Sequence, residues 1–378
     1  MLTMTTGIVS PALPAIAITY QHVASSLIDQ VSTVPSLTMA LFVVLSTWIV
    51  KYLGTKKTVE LGLTLVIVST LLSLVAPNIW LLIGARALLG AGLGIYNSLA
   101  VSLITFSYHG QQRDKLLGWQ NAFQGIGATI GSILVAGLII LNWRATFLIY
   151  AVAIIILIFY HRNVPDIKLT VAPSPESTPT TKHPINWRNL SKYGFLLFGL
   201  MTFYMIATVK IPTYLITNGI GSANTGSLLV GLMSVGTIIA GLLYGQLFNH
   251  LHSGVLVLAA ALMLGAYWLY GFTSQIMLAA IGAFLIGASF GIFVPAIFGA
   301  ASQAADISQS NFVSTFLLIC SNLANFISPF IAAFLIMGHK QLTIIFMNGT
   351  LFLIGLLLVT IWISWRQKAS APAQNENI

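Results

Sequence analysis

The chain has 378 residues, 57% of them hydrophobic and only 6% charged, with a formal net charge of +9. Soluble domains carry about 25% charged residues, so this composition excludes a water-soluble globular class and points to lipid as the solvent. The positive charge does not indicate nucleic acid, because the basic residues lie in short gaps between apolar runs rather than on one face or arm.

Apolar stretches of membrane-spanning length predict helices near 1–20, 31–50, 58–76, 80–107, 117–141 and 145–160. After one long polar interval they resume near 193–217, 225–249, 254–272, 276–302, 310–337 and 341–365. The first run holds Pro11 and Pro14 and has no basic flank, so it reads as a barely sufficient first helix rather than a cleaved signal. The sixth is short and is expected to begin before Trp143. The interval from His161 to Lys192 carries Pro165, Pro173, Pro175, Pro179 and Pro184, which forbid a continuous helix. Four segments follow: a half at 1–160, a linker at 161–192, a second half at 193–366 and a tail at 367–378.

Basic residues sort by loop. Lys51, Lys56, Lys57, Arg113, Lys115, Arg162, Lys168, Lys182, Arg188, Lys192, Arg366 and Lys368 fall on one side, and only Arg144 and Lys340 on the other. This asymmetry predicts that the first side, with both termini, is cytoplasmic, in a protein of the cell membrane.

Sliding the chain on itself by 197–198 residues places Leu88-Leu89-Gly90-Ala91-Gly92-Leu93-Gly94-Ile95-Tyr96 on Leu285-Ile286-Gly287-Ala288-Ser289-Phe290-Gly291-Ile292-Phe293. The same shift pairs Pro14 with Pro212 and Gln124 with Asn322. One offset across three helix pairs predicts a duplicated six-helix unit.

These residues resemble the major facilitator superfamily over essentially the whole chain. Arg86-Ala87-Leu88-Leu89-Gly90-Ala91-Gly92-Leu93-Gly94 is similar to the family's arginine-and-glycine motif of helix four. Lys51-Tyr52-Leu53-Gly54-Thr55-Lys56-Lys57 resembles its glycine-and-basic loop after helix two, with a fainter copy at Gly245-Gln246-Leu247-Phe248-Asn249-His250. Lys51 and Tyr52 stand where the family has an aspartate followed by an arginine, a departure that puts the usual charge relay in question. Asn142-Trp143-Arg144 followed by Phe147 is also familial. Helix five supplies Gly125, Gly127 and Gly131 without the proline of the antiporter motif. The resemblance implies an all-α membrane protein of about twelve helices in two pseudo-symmetric halves, moving a small molecule by alternating access. Within the superfamily the organisation looks most like bacterial twelve-helix drug and small-molecule exporters. It implies no cofactor, an ion gradient such as protons as the energy source, the bilayer and a small molecule as partners, and a monomer.

Arg86 and Lys210 lie inside predicted spans. An intramembrane arginine costs ~2.5–3.5 kcal/mol on insertion scales, which favours a cavity position over a lipid-facing one, with bonding to neighbouring helices as the other reading. Lys210, two residues before Pro212, reads equally as snorkelling to the interface or as facing a cavity. The acidic residues Asp29, Glu60, Asp114, Asp166, Glu176, Asp306 and Glu376 fall in loops, tails or span ends. Asp29 reads first as a solvated helix-end charge. Two buried bases without a buried acid favour neutral or anionic cargo. Gln120, Asn121 and Gln124, with Asn322 and Asn325, form an amide set that either contacts substrate or joins helices, the second being slightly favoured. Asn97, Tyr96, Tyr204, Phe290 and Phe293 are further cavity candidates. Gly127 with Gly131, and Gly241 with Gly245, suggest close packing of helix five on helix eight, and Gly90 belongs with them as a packing residue. Cys320 reads as a small apolar side chain.

Export of small amphiphiles is the first functional reading, uptake of a small neutral or anionic solute the second. A membrane-embedded enzyme is disfavoured because no His/Asp/Glu set has ligand spacing within a span. No phosphate-binding loop pattern occurs, which argues against an ATP-driven pump.

Overall fold

The computed structural model describes residues 7–107, 110–164, 187–272, 275–303, 310–339 and 341–370. Twelve α-helices and no strand occur among the described residues: α1 (Leu13–Thr19), α2 (Ser25–Leu53), α3 (Thr55–Val75), α4 (Ile79–Ser107), α5 (Gly110–Leu141), α6 (Val152–Asn163), α7 (Trp187–Thr217), α8 (Ala223–Leu251), α9 (Gly254–Phe272), α10 (Ile276–Gln303), α11 (Ser310–Ile336) and α12 (Thr343–Ser370). Ten helical segments are long and apolar enough to cross a bilayer, and two shorter apolar ones run over Ser10–Thr19 and Ile126–Leu141. Lipid leaves no partner for free backbone groups, so helices that bond internally are what such a composition can build.

Two ends depart from the sequence expectation. The first span is described only from a short 3-10 turn, Ser10–Ala12, into α1, and it stops at Tyr20. The sixth begins as nine residues of 3-10 helix, Trp143–Ala151, before α6. A 3-10 run of that length is uncommon, and its three-residue turn puts Phe147 and Tyr150 on the same face.

The apolar interior divides into two large cores and a small third cluster of Ile8, Ala128 and Val135. One core is built from α7–α12, the other from α1–α4 and the sixth span, joined by Met205 and Val209 of α7. Buried tyrosines in the first core give their hydroxyls to backbone: Tyr267 to Phe203 O at 2.6 Å and Tyr270 to Ala279 O at 2.6 Å. Such groups are affordable in an apolar core only when partnered.

The duplication is visible in how helices touch. A Cβ added to Gly90 would strike the carbonyl of Pro35 on α2, and one added to Gly287 would strike the carbonyl of Met233 on α8. One turn on, a Cβ on Gly94 would lie 2.6 Å from Met39 O. The Gly291 position repeats this against Thr237 O. Gly92 approaches Gly62, and its counterpart Ser289 donates to Ala259 O at 2.7 Å. Each contact maps onto its partner at the 197–198 offset. The connections also repeat: Gly54 after α2 has φ +77°, and His252 after α8 has φ 48°.

Candidate functional site

Proline inside a helix removes an amide hydrogen and leaves the carbonyl four residues earlier without its usual donor. In α2 the proline is Pro35 and the stranded carbonyl is that of Val31. Arg86 Nε donates to Val31 O at 2.8 Å, and a terminal guanidinium nitrogen donates to the Tyr150 hydroxyl at 3.2 Å. The same guanidinium lies 5.5 Å from the Phe147 ring centre and 5.1 Å from that of Tyr150. The 3-10 run presents both rings to one cation, a contact worth ~0.5–2 kcal/mol each. Arg86 is 1% exposed. Arg86 is thus enclosed within the first half, where a fixed hydrogen-bond acceptor lowers the cost of burying the charge.

Lys210 neither snorkels nor stands free. Its Nζ donates to Asp29 Oδ2 at 2.5 Å and to Ser25 Oγ at 3.4 Å. Asp29 is 4% exposed and Lys210 6% exposed. The reading of Asp29 as a solvated helix-end charge is thus corrected, and with it the premise that no acid is buried. Its position near a span end hid this, because the side chain of Lys210, from α7 in the second half, reaches the first turns of α2. Asp29 is four residues into α2 and Lys210 seven from the end of α7, about 6–10 Å from the helix ends. Removing one partner from a buried pair costs ~3–5 kcal/mol, since the other charge is then uncompensated.

Apolar contacts surround this pair. Met205 and Val209 of α7 are packed in the core of the other half, and Thr208 Cγ2 lies 3.0 Å from where a Cβ on Gly7 would stand. Nearby, Tyr20 Oη at 3.3 Å and Arg144 at 3.2 Å both donate to Ala76 O at the end of α3. Arg144 also stacks on Trp143 at 4.6 Å.

The halves meet again where α5 packs on α8 and α2 on α11. Between α5 and α8 the small pair is Ser132 and Gly231, an added Cβ on Gly231 falling 3.2 Å from Ser132 Cβ. Gly131 instead faces Ile149 and Ile8, Gly241 faces α10 and Gly245 borders open space, so these glycines do not make the expected seam. Gly127 is buried on α5. The helical register turns Gly131 and Gly241 toward neighbours within their own halves. Ile126, Thr129, Ile130, Val235, Ile238 and Ile239 line an apolar crevice of about 200 Å³ between these two helices.

Other candidates are scattered. Tyr204 of α7 stacks on Phe290 of α10 with ring centres 4.4 Å apart, and Phe290 meets the fully buried Phe293 edge-on at 5.5 Å. Tyr96 places its Cβ against Gly62, and its buried hydroxyl has no partner among the described residues. Gln30 Nε2 and Asn325 Oδ1 are similarly unmatched. Asn322 donates to Leu318 O of its own helix at 2.9 Å, and Ser328 donates to Asn325 O, the carbonyl that Pro329 strands, at 2.8 Å. The side chains of Asn97, Gln120, Asn121 and Gln124 lie outside the described residues.

In the loop motif Lys51 and Lys57 are exposed, and Gly54 takes a left-handed φ that suits glycine. Lys56 Nζ donates to His161 O at 2.9 Å, and Glu60 meets His161 Nδ1 at 3.0 Å, fixing α3 to the end of α6. Sequence reasoning placed Asp29 in solvent and missed Ser25 and Tyr150.

A family model described as Major Facilitator Superfamily matches residues 1–329. Among curated proteins, the methylenomycin A resistance protein of Streptomyces coelicolor is 29% identical over 118 residues, which is 30% of this chain and 24% of that protein. The match thus spans about a quarter of that relative's length. A crystal structure of a nucleoside transporter superposes with a TM-score of 0.77 at 10% identity, covering 96% of this chain and 100% of that one. A D-xylose-proton symporter gives 0.69 at 14% identity, covering 94% of each chain. A peptide transporter crystallised with sulfate gives 0.74 at 13% identity, covering 97% of this chain and 93% of that one. At such identities these likenesses speak to the fold.

Proposed function

The chain belongs to the Major Facilitator Superfamily, and from that premise we propose that it is a secondary active transporter exporting small neutral or amphiphilic molecules by alternating access. The moving units are residues 1–160 and 193–366, with 161–192 as linker and 367–378 as tail. The protein sits in the cell membrane with both termini cytoplasmic, which makes the end of the bundle at Ser25 and Thr217 external. The weighting of Lys51, Lys56, Lys57 and their companions to the opposite side supports this orientation.

The observation that carries the reading is the separation into two cores joined by seams, one of them holding Asp29 and Lys210. Packed cores are stiff, so a change of access falls on the seams. The cargo class follows from charge. Arg86 is enclosed and Lys210 is neutralised by Asp29, so neither offers a free charge to a solute. The aromatic face of Tyr204 and Phe290 suits an apolar or planar group. Partial similarity to a resistance protein supports export over uptake.

Flux into inside-out proteoliposomes tests this, using a panel of neutral amphiphiles, nucleosides and a quaternary ammonium dye, with and without a pH gradient. Gradient-dependent accumulation of the amphiphiles is expected. Transport restricted to nucleosides, or strong transport of the permanent cation, would overturn the cargo class. Silence across the panel in folded protein would overturn the transport reading.

A further inference from the structure

The basic side of the bundle is built in two ways. At the ends of α3 and α6 the polar groups are tied to one another: Lys56 Nζ donates to His161 O, and His161 Nδ1 meets Glu60 at 3.0 Å. Where α7 begins and α12 ends, cations face cations. Arg188 and Lys192 are four residues apart on α7 and so share a face. The charges of Arg188 and of Arg366, the latter on α12, both act on the Lys192 ammonium. The two helices touch further along, a Cβ on Gly199 falling 3.0 Å from Leu356. Neither Arg188 nor Lys192 has an acidic partner among the described residues. Arg188 also stands in the first turn of α7, where the helix dipole opposes positive charge. Such a cluster is unfavourable until an anion joins it.

The level of the cluster identifies the anion. The apolar spans run Leu190–Thr217 and Thr343–Arg366, so the cations straddle the boundary where hydrocarbon ends and headgroups begin. Lys192 lies over the Tyr193 ring at 4.8 Å and Arg366 over the Trp362 ring at 4.2 Å, contacts that hold the cationic heads in place. Trp187, Trp362 and Trp365, all exposed, add the amphipathic rings that favour the headgroup layer. We propose that Arg188, Lys192 and Arg366 form a site for the phosphate of an anionic phospholipid, its acyl chains running along the exposed apolar face of α12 at Leu358 and Trp362. A free phosphate carries the same charge but has nothing to lay on that face. The site concerns lipid rather than cargo, and it stands whichever solute the protein moves.

Native mass spectrometry of the full chain, released from detergent, counts the lipid that stays bound. The parent protein is expected to retain phosphatidylglycerol in preference to phosphatidylcholine with the same chains. Arg188→Gln, Lys192→Gln and Arg366→Gln should each weaken that binding about fivefold, and the triple variant on the order of a hundredfold. A control triple, Lys51→Gln, Lys57→Gln and Arg162→Gln, removes the same charge from exposed positions of the first half and should bind as the parent does. In a thermal melt, phosphatidylglycerol should raise the midpoint of the parent and the control but not of the site triple, all three melting alike without lipid. Undiminished binding by the site triple, or an equal loss in the control, would overturn the site. An equal rise with inorganic phosphate alone would overturn the lipid as its source. Binding that emerges only after residues 371–378 are removed would assign the cluster to the chain's own tail, which carries Glu376, and would overturn the proposal as well.

Discussion

Arg86 occupies the hydrogen-bonding place that Pro35 empties: its Nε lies 2.8 Å from the carbonyl of Val31, the group a proline at position 35 leaves without an amide. A charged residue and an imino acid 51 positions apart thus complete one helix between them.

The coupling between them is measurable. Arg86→Gln should lower the melting temperature in detergent, with a loss of about 2–4 kcal/mol from the charged bond and the ring contacts. In a Pro35→Ala background, where the helix supplies its own amide to Val31, the same change should cost about 1–2 kcal/mol less. Additive costs would show that the two residues act independently. Flux per folded molecule should survive Arg86→Gln, since the guanidinium is enclosed.

The paired glycine contacts predict matched sensitivities. Gly90→Val and Gly287→Val each drive a side chain into a neighbouring backbone carbonyl, and both should prevent recovery of monodisperse protein. Gly245→Ala meets nothing within 4 Å and should be neutral or gain up to about 1 kcal/mol in helix stability. Size-exclusion profiles and melting temperatures check all three.

Orientation can be read in intact cells. In the Cys320→Ser background, His22→Cys at the exposed turn after α1 should react with an impermeant maleimide, and Lys57→Cys at the exposed start of α3 should not. The opposite pattern would invert the topology.

If cargo rests on the α7–α10 aromatic pair, Tyr204→Ala should raise the half-saturating concentration by roughly three- to tenfold, the range of one aromatic contact. Tyr204→Phe keeps the ring and should change it little. Equal effects of the two substitutions would assign the role to the hydroxyl.

The spans were legible because membrane thickness sets a length that apolar runs reveal directly, and the repeat was legible because Gly90 and Gly287 are fixed by contacts that no side chain fits. Asp29 was misjudged for a tertiary reason. Its distance along the chain from a loop suggested water, whereas its surroundings are set by a helix from the other half. The place of Arg86 depended on the 3-10 run that brings Phe147 and Tyr150 to one guanidinium, and periodicity gives no hint of that. The expected packing of α5 on α8 is present, but Gly131 and Gly241 face neighbours in their own halves. Spacing fixes which residues share a stripe but not where the stripe points.

The turn at His252 holds a record of the chain's history. Gly54 occupies the corresponding place in the first half, and both backbones take a positive φ there, though only one residue suits it. The two bends share the sign of φ but differ in ψ, 166° at Gly54 and −120° at His252, so the second half carries backbone strain where the first has a glycine. His252→Gly would restore the matching residue, and relief of about 1 kcal/mol in a thermal melt would measure the strain that drift has left behind.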